Sequence, residues 1–134
     1  MTTPSPSLPI RIEGIQPILR IRSMAVSRAF YVKSLGFYEE EWGTDEFTSV
    51  RRDGGAIYLC RGAQGNPGTW LWIGFDGDIH ELYAQLKAKG IRLQGPPVNY
   101  SWAMEIHVVD PDGHVLRFGS EPDPTLPFAD QAHS

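Results

Sequence analysis

Apolar side chains recur along this chain at two spacings. Over residues 78–89, DIHELYAQLKAK, the residues Ile79, Leu82, Tyr83 and Leu86 fall at i, i+3, i+4 and i+7, a single stripe along a helix. Asp78 with Glu81 three residues later predicts the start of that helix, and Gly90 its end. A second helix is predicted at about 25–35, AVSRAFYVKSL, with Ser23 as N-cap, Val26, Ala29 and Phe30 as apolar face and Gly36 as terminator. Strand-like runs surround both. IQPILRI (15–21) precedes the first helix, and FYEEEW (37–42), FTSVRR (47–52) and AIYLC (56–60) follow it. TWLWIGF (69–75) precedes the second, and IRLQG (91–95), AMEIHVV (103–109) and VLRF (115–118) follow that.

Each half therefore reads strand, helix, strand, strand, strand, with a period of about 55 residues. The match extends to single residues: RDGGAIYL and PDGHVLRF share Asp-Gly and then an apolar–polar–apolar run, which sets Tyr58 of the first half against Arg117 of the second. Two copies are too few for a solenoid. The pattern predicts an α+β fold of two four-stranded, curved, mixed sheets around a central cleft, with the helices outside. Alternation then assigns Leu19, Ile21, Ile57, Leu59, Leu71, Ile73, Phe75, Leu116 and Phe118 to the helix side. It assigns Gln16, Ile18, Arg20, Tyr58, Cys60, Trp70, Trp72, Val115 and Arg117 to the cleft side. Aromatic walls with a few polar groups are the make-up of a ligand pocket.

Composition narrows the classes. The 134 residues suit one domain at 14–120, with modules at about 14–62 and 68–120, between Pro-rich and small-polar tails at 1–13 and 121–134 that are expected to be mobile. A net charge of −4 without a basic stripe argues against nucleic acid as a partner. No stretch approaches the roughly 20 apolar residues that span a bilayer. The opening MTTPSPSLP lacks the basic and apolar regions of a secretory signal, and Cys60 has no second cysteine to pair with, so a cytoplasmic setting is expected.

Several side chains invite chemistry, each with a plainer alternative. Arg117, in DPDGHVLRFG, is a solvated strand charge, a pocket arginine for an anionic or carbonyl-bearing ligand, or the partner of a carboxylate such as Glu105. Trp70 and Trp72 share one strand face and either line the cleft or sit in core or interface. Trp102, near Tyr100 in NYSW, either closes the pocket or anchors a dimer. Glu105 and His107 share a strand face as an acid–base pair or as a satisfied polar pair. The acidic run EEEWGTDE at 39–46 reads as a solvated hairpin, and Cys60 has no neighbour that would activate its thiol. His80, His114 and His133 receive no role.

The run LRIRSMAVSRAFYVKSLGF resembles the opening of the vicinal-oxygen-chelate superfamily, the fold of glyoxalases, bleomycin-resistance proteins and extradiol dioxygenases, through Ser27, Phe30, Tyr31, Leu35, Gly36 and Phe37. MEIHVVDPDGHVLRFG resembles its closing hairpin, and ELYAQLKAKGIRL its second-module helix, so that the resemblance spans roughly residues 14–120. It implies paired βαβββ modules, commonly a homodimer. The superfamily's metal-ligand positions fall at Gln16, Tyr58, Trp70 and Arg117. Only Gln16 is acceptable there, because neutral Tyr is a poor ligand, indole N–H only donates and guanidinium offers no lone pair. The expectation is therefore a protein without metal, cofactor or catalytic residues that resembles the antibiotic-sequestering members. Its small-molecule ligand, planar and aromatic, would be held by Gln16, Arg20, Tyr58, Trp70, Trp72, Trp102, Glu105, His107 and Arg117. The alternatives are a glyoxalase-like lyase, isomerase or dioxygenase with an atypical site, and a partner-binding domain whose tryptophans serve protein contacts.

Overall fold

Strand β1 (Ile18–Arg20) carries Leu19 inward and leads through Ser23 into helix α1 (Met24–Arg28) in the computed structural model, which describes residues 8–129. The Ser23 side chain accepts from the Val26 N–H, as an N-cap should. The helix predicted at 25–35 is present but changes pitch: residues Ala29–Ser34 form a π-helical turn, closed by the Leu35 N–H donating to the Phe30 carbonyl at 3.0 Å. Both Phe30 and Tyr31 are buried by it, and Gly36, at φ 78°, ends it. Strands β2 (Tyr38–Glu39), β3 (Phe47–Arg52) and β4 (Gly55–Cys60) complete a sheet of order β1-β4-β3-β2, with β1 parallel to β4. Of the run 37–42 only two residues pair, because the Gly43 N–H turns back onto the Glu40 carbonyl.

The second half repeats this plan. Strand β5 (Trp70–Gly74) is followed by α2 (Ile79–Ala88), β6 (Arg92–Leu93), β7 (Val98–Asn99), β8 (Met104–Val109) and β9 (Val115–Ser120). Asp78 caps α2 by accepting from the His80 and Glu81 N–H groups, and Gly90 follows it at φ 74°. The Glu81 carboxylate turns to Gln85 instead of returning to the cap, so half of the capping box forms. The order is β5-β9-β8-β6, with β7 also on β8. That fifth strand, after Pro96 and Pro97, has no counterpart in the first half.

The helix-side assignment holds. Leu19, Ile21, Ile57, Leu59, Leu116 and Phe118 are buried in one cluster with residues of both helices, and Leu71, Ile73 and Phe75 pack against it. Burying each of the larger aliphatic residues contributes roughly 2 kcal/mol. The halves are also locked by polar contacts. The buried His114 ring accepts from the Thr69 N–H at Nδ1 (3.0 Å), which leaves Nε2 as the donor to the Arg20 carbonyl (2.7 Å). The Tyr31 hydroxyl donates to Asp110 (2.7 Å), whose other oxygen accepts from the backbone of Asp112 and His114. Burial, and then the Asp110 carboxylate, push the Tyr31 phenol up, so it stays the donor.

At the termini, residues 1–7 and 130–134 lie outside the described part. Residues 121–129, expected as a mobile tail on composition, are tied to Asn99: its side-chain amide donates to the Asp123 and Pro127 carbonyls and accepts from the Asp123 N–H, while its own carbonyl accepts from the Ala129 N–H. One side-chain amide thus supplies the partners that the proline-rich backbone lacks within itself.

Candidate functional site

The face of the second sheet turned away from the helices is set by strand register. Trp72 lies opposite Arg117, which lies opposite His107; Trp70 lies opposite Val115, and Glu105 opposite Gly119. Period-two alternation therefore brings Trp70, Trp72, Glu105, His107 and Arg117 onto one surface. The contacts are tighter than proximity alone. The Arg117 guanidinium donates from Nε to Glu105 Oε1 and from Nη2 to Oε2, both at 2.9 Å. Trp102 donates its indole N–H to Glu105 Oε2 at 2.5 Å, and His107 Nε2 lies 3.2 Å from Oε1.

Glu105 is 1 % exposed and is the hub of this cluster. Burial drives its carboxyl up, but the hydrogen bonds from Arg117, Trp102 and His107, with the guanidinium charge, together hold it below the usual carboxylate range. Its hydrogen bonds to Glu105, with the carboxylate charge, hold the Arg117 guanidinium above its ordinary value. The pair is bidentate and charge-assisted, which fixes the plane of the guanidinium. Of the three roles open to Arg117 in the sequence, pairing with Glu105 is the one formed.

Rings surround the ion pair. Arg117 sits against the Trp72 ring, 5.3 Å from its centre. Trp70 stands edge-on to His107 at 5.7 Å, and Trp102 stacks flat on Tyr100 at 4.7 Å. Gly119 makes room for Trp72: a β-carbon there would overlap the indole ring. Sequence reasoning missed Gly119, although a glycine in a strand, two residues past Arg117 on the same face, signals a close approach. Trp70 and Trp72 remain 57 % and 51 % exposed.

The equivalent face of the first sheet differs. Ile18, Tyr58 and Ser49 take the places of Trp72, Arg117 and His107. Here Tyr58 packs edge-on to Phe47 (5.4 Å) and to Trp42 (5.8 Å), an aromatic cluster in which Trp42 was read only as part of the acidic run. Arg20 is held by its Nη2 donating to the Ala63 carbonyl at 2.7 Å, and the Gln16 amide lies against Gly14. Among the described residues no hydrogen bond, ion pair or ring contact joins Gln16, Arg20 or Tyr58 to the Glu105 cluster. The acids of 39–46 are largely consumed in ion pairs, Glu39 and Asp45 with Arg28 and Glu46 with Arg61. Two surface depressions, of about 400 and 360 Å³, lie elsewhere, around α1, and their arginines are engaged, Arg28 and Arg61 in those same pairs and Arg22 with Asp112.

A metal at Gln16, Tyr58, Trp70 and Arg117 does not fit these side chains. The guanidinium occupies one position as a cation, and the nearby carboxylate already gives both oxygens to Arg117. Among the described residues no group of three or more His, Cys, Asp or Glu side chains is placed to hold an ion.

Among solved structures, the antibiotic-binding protein TnmS3 from Streptomyces sp. CB03234 is similar at TM-score 0.72 and 22 % identity, covering 85 % of this chain and 99 % of its own. The bleomycin-binding protein of Streptomyces verticillus, complexed with copper(II)-bleomycin, gives 0.67 and 21 %, with coverage of 85 % and 99 %. A lactoylglutathione lyase from Agrobacterium tumefaciens gives 0.68 and 14 %, with coverage of 82 % and 95 %. No curated protein matches the chain in sequence. These structures share the fold and differ in what they do. The family model, in contrast, matches the sequence itself over residues 14–118, both modules and the linker between them, so the chain belongs to the Glyoxalase/Bleomycin resistance protein/Dioxygenase superfamily.

Proposed function

We propose that this chain is a small-molecule-binding protein of the antibiotic-sequestering kind, a homodimer acting in the cytoplasm, which holds a planar aromatic ligand without a metal at the four superfamily positions. The observation that carries this reading is the pair of half-exposed indoles, Trp70 and Trp72, on a face whose charged centre, Arg117 and Glu105, is internally neutralised. Flat apolar surfaces beside fixed polar groups suit stacking, and sequestration requires no bond chemistry. Arg117 keeps Nη1 free of hydrogen bonds among the described residues, so it can orient a ligand carbonyl or anion while remaining paired. The Tyr58–Trp42–Phe47 cluster and Arg20 would form the opposite wall in the dimer.

The bleomycin-binding and antibiotic-binding relatives support this class of ligand. An acid–base reading of Glu105 and His107 is weaker, because the carboxylate gives both oxygens to three donors and is held ionised. Tryptophan fluorescence titrated with bleomycin, copper(II)-bleomycin and a panel of planar aromatic compounds tests the proposal. Saturable quenching is expected, weakened about tenfold, near 1.4 kcal/mol, in Trp72→Ala. Equal affinity in wild type, Trp70→Ala and Trp72→Ala would remove the site from this face. A stoichiometric transition metal surviving dialysis would overturn the metal-free reading.

A further inference from the structure

The buried carboxylate of Glu105 has no capacity left for a ligand. An ionised carboxylate offers about four lone-pair sites, and all are taken here. Oε1 accepts from Arg117 Nε and His107 Nε2, and Oε2 accepts from Arg117 Nη2 and the Trp102 indole. The residue is also 1 % exposed, so a molecule laid on this face meets neither oxygen. Because an ionised carboxylate can only accept, His107 Nε2 is the ring nitrogen that carries the proton. In the neutral ring Nδ1 is then a bare lone pair, and among the described residues no hydrogen bond reaches it.

The other side chains of the face supply donors alone. Arg117 keeps Nη1 outside its fork on Glu105, and the indole N–H groups of Trp70 and Trp72 cannot accept. His107 Nδ1 is therefore the one acceptor that Trp70, Trp72, Glu105, His107 and Arg117 still offer. Charge points the same way. The guanidinium is already neutralised by Glu105, so an anion would gain little from Nη1 and would turn its own lone pairs toward Nδ1. We infer that the ligand is a neutral planar ring with a lactam, imide or carboxamide edge, its carbonyl accepting from Arg117 Nη1 and its N–H donating to His107 Nδ1. Register sets Trp72, Arg117 and His107 in a row across β5, β9 and β8, so a ring resting on the half-exposed indoles carries its edge toward the other two. Glu105 acts as a positioning residue: it holds both edge-reading side chains from below through the same oxygen.

This rests on the ligand face proposed above, and the test separates the two. Isothermal titration calorimetry of the full chain uses four flat bicyclic probes of nearly one shape, at about pH 8, above the usual imidazole range. Carbostyril has the lactam edge, N-methylcarbostyril lacks its N–H, coumarin puts a ring oxygen in its place, and naphthoate carries an anion. In the wild type carbostyril is expected to bind about tenfold more tightly than each of the other three, because only its N–H pairs with Nδ1. His107→Phe keeps a flat ring for Trp70 to stand against and removes Nδ1. There the preference should fall to within about twofold, with coumarin affinity unchanged. The ratio between probes in the wild type tests the inference even where that variant does not fold. Equal binding of carbostyril and coumarin, or tightest binding of naphthoate, overturns the lactam edge and leaves the ligand face standing. A preference that persists in His107→Phe overturns the role of Nδ1. Binding of none of the four overturns the face and the edge together.

Discussion

Arg117 is expected to be more important for stability than its partly exposed position suggests, because its loss strands Glu105. In Arg117→Met the carboxylate stays in a site where it is 1 % exposed, with Trp102 and His107 as its remaining donors. Breaking a fully buried pair in this way costs about 3–5 kcal/mol. Arg117 itself is 33 % exposed and partly screened, so about 2–3 kcal/mol is the appropriate range. For a chain of this size that corresponds to a fall in Tm of roughly 8–12 °C. The pH dependence has a definite sign. In the wild type the Glu105 carboxyl is depressed below its unfolded value, so its contribution is complete above that value and is lost as pH falls through the folded one. Without Arg117, burial acts against fewer hydrogen bonds and the folded value rises, so the variant loses less on acidification. The difference between the two proteins should therefore narrow as the pH is lowered through and below the ordinary carboxylate value of 4.5. Urea unfolding at several pH values measures it, and Glu105→Gln in the Arg117→Met background should recover much of the loss. A variant within 0.5 kcal/mol of wild type at neutral pH, with no narrowing in acid, would refute a buried ion pair as the centre of this face.

Tyr31→Phe leaves Asp110, on the turn joining β8 to β9, without the hydroxyl that donates to it at 2.7 Å; a loss of about 1.5–3 kcal/mol is expected by thermal or urea unfolding. Gly119→Ala places a β-carbon where the Trp72 ring lies, at an expected cost of about 1–3 kcal/mol. The displaced indole should shift the intrinsic fluorescence and weaken ligand quenching, whereas unchanged emission would show that Trp72 does not rest on Gly119.

Much of this molecule could be read from its sequence because its signals are local and repeated. Ile79, Leu82, Tyr83 and Leu86 define α2 on spacing alone, with Asp78 and Gly90 marking its ends. The match between RDGGAIYL and PDGHVLRF marks the turn and the outgoing strand of both hairpins, and alternation along the strands sorts nearly every strand residue to the correct face. Patterns of this kind carry no single long-range contact. Asn99 captures residues 121–129 from 24 or more positions away, and no composition rule sees that bond. The change of α1 to π geometry, which buries Phe30 and Tyr31 in the shared core, is not marked in the apolar spacing of that helix.

The half-to-half match also explains why the site could be located without its chemistry being settled. Sequence alignment of the halves sets Arg117 opposite Tyr58 in the repeat, and the structure adds the flanking residues: Trp72 and His107 on one sheet, Ile18 and Ser49 on the other. One position thus became an aromatic contact and its counterpart an ion pair. Arg117 meets Glu105 diagonally across the ladder, since Glu105 stands opposite Gly119 and His107 opposite Arg117. Gly119, bare at that corner, leaves the space that the Trp72 ring fills beside the pair. An alternating pattern shows that Glu105, His107 and Arg117 share a face, but not that the Trp72 ring lies across it, which only a residue without a β-carbon at 119 permits. The glycine beside the arginine is therefore as much a part of this site as the arginine itself.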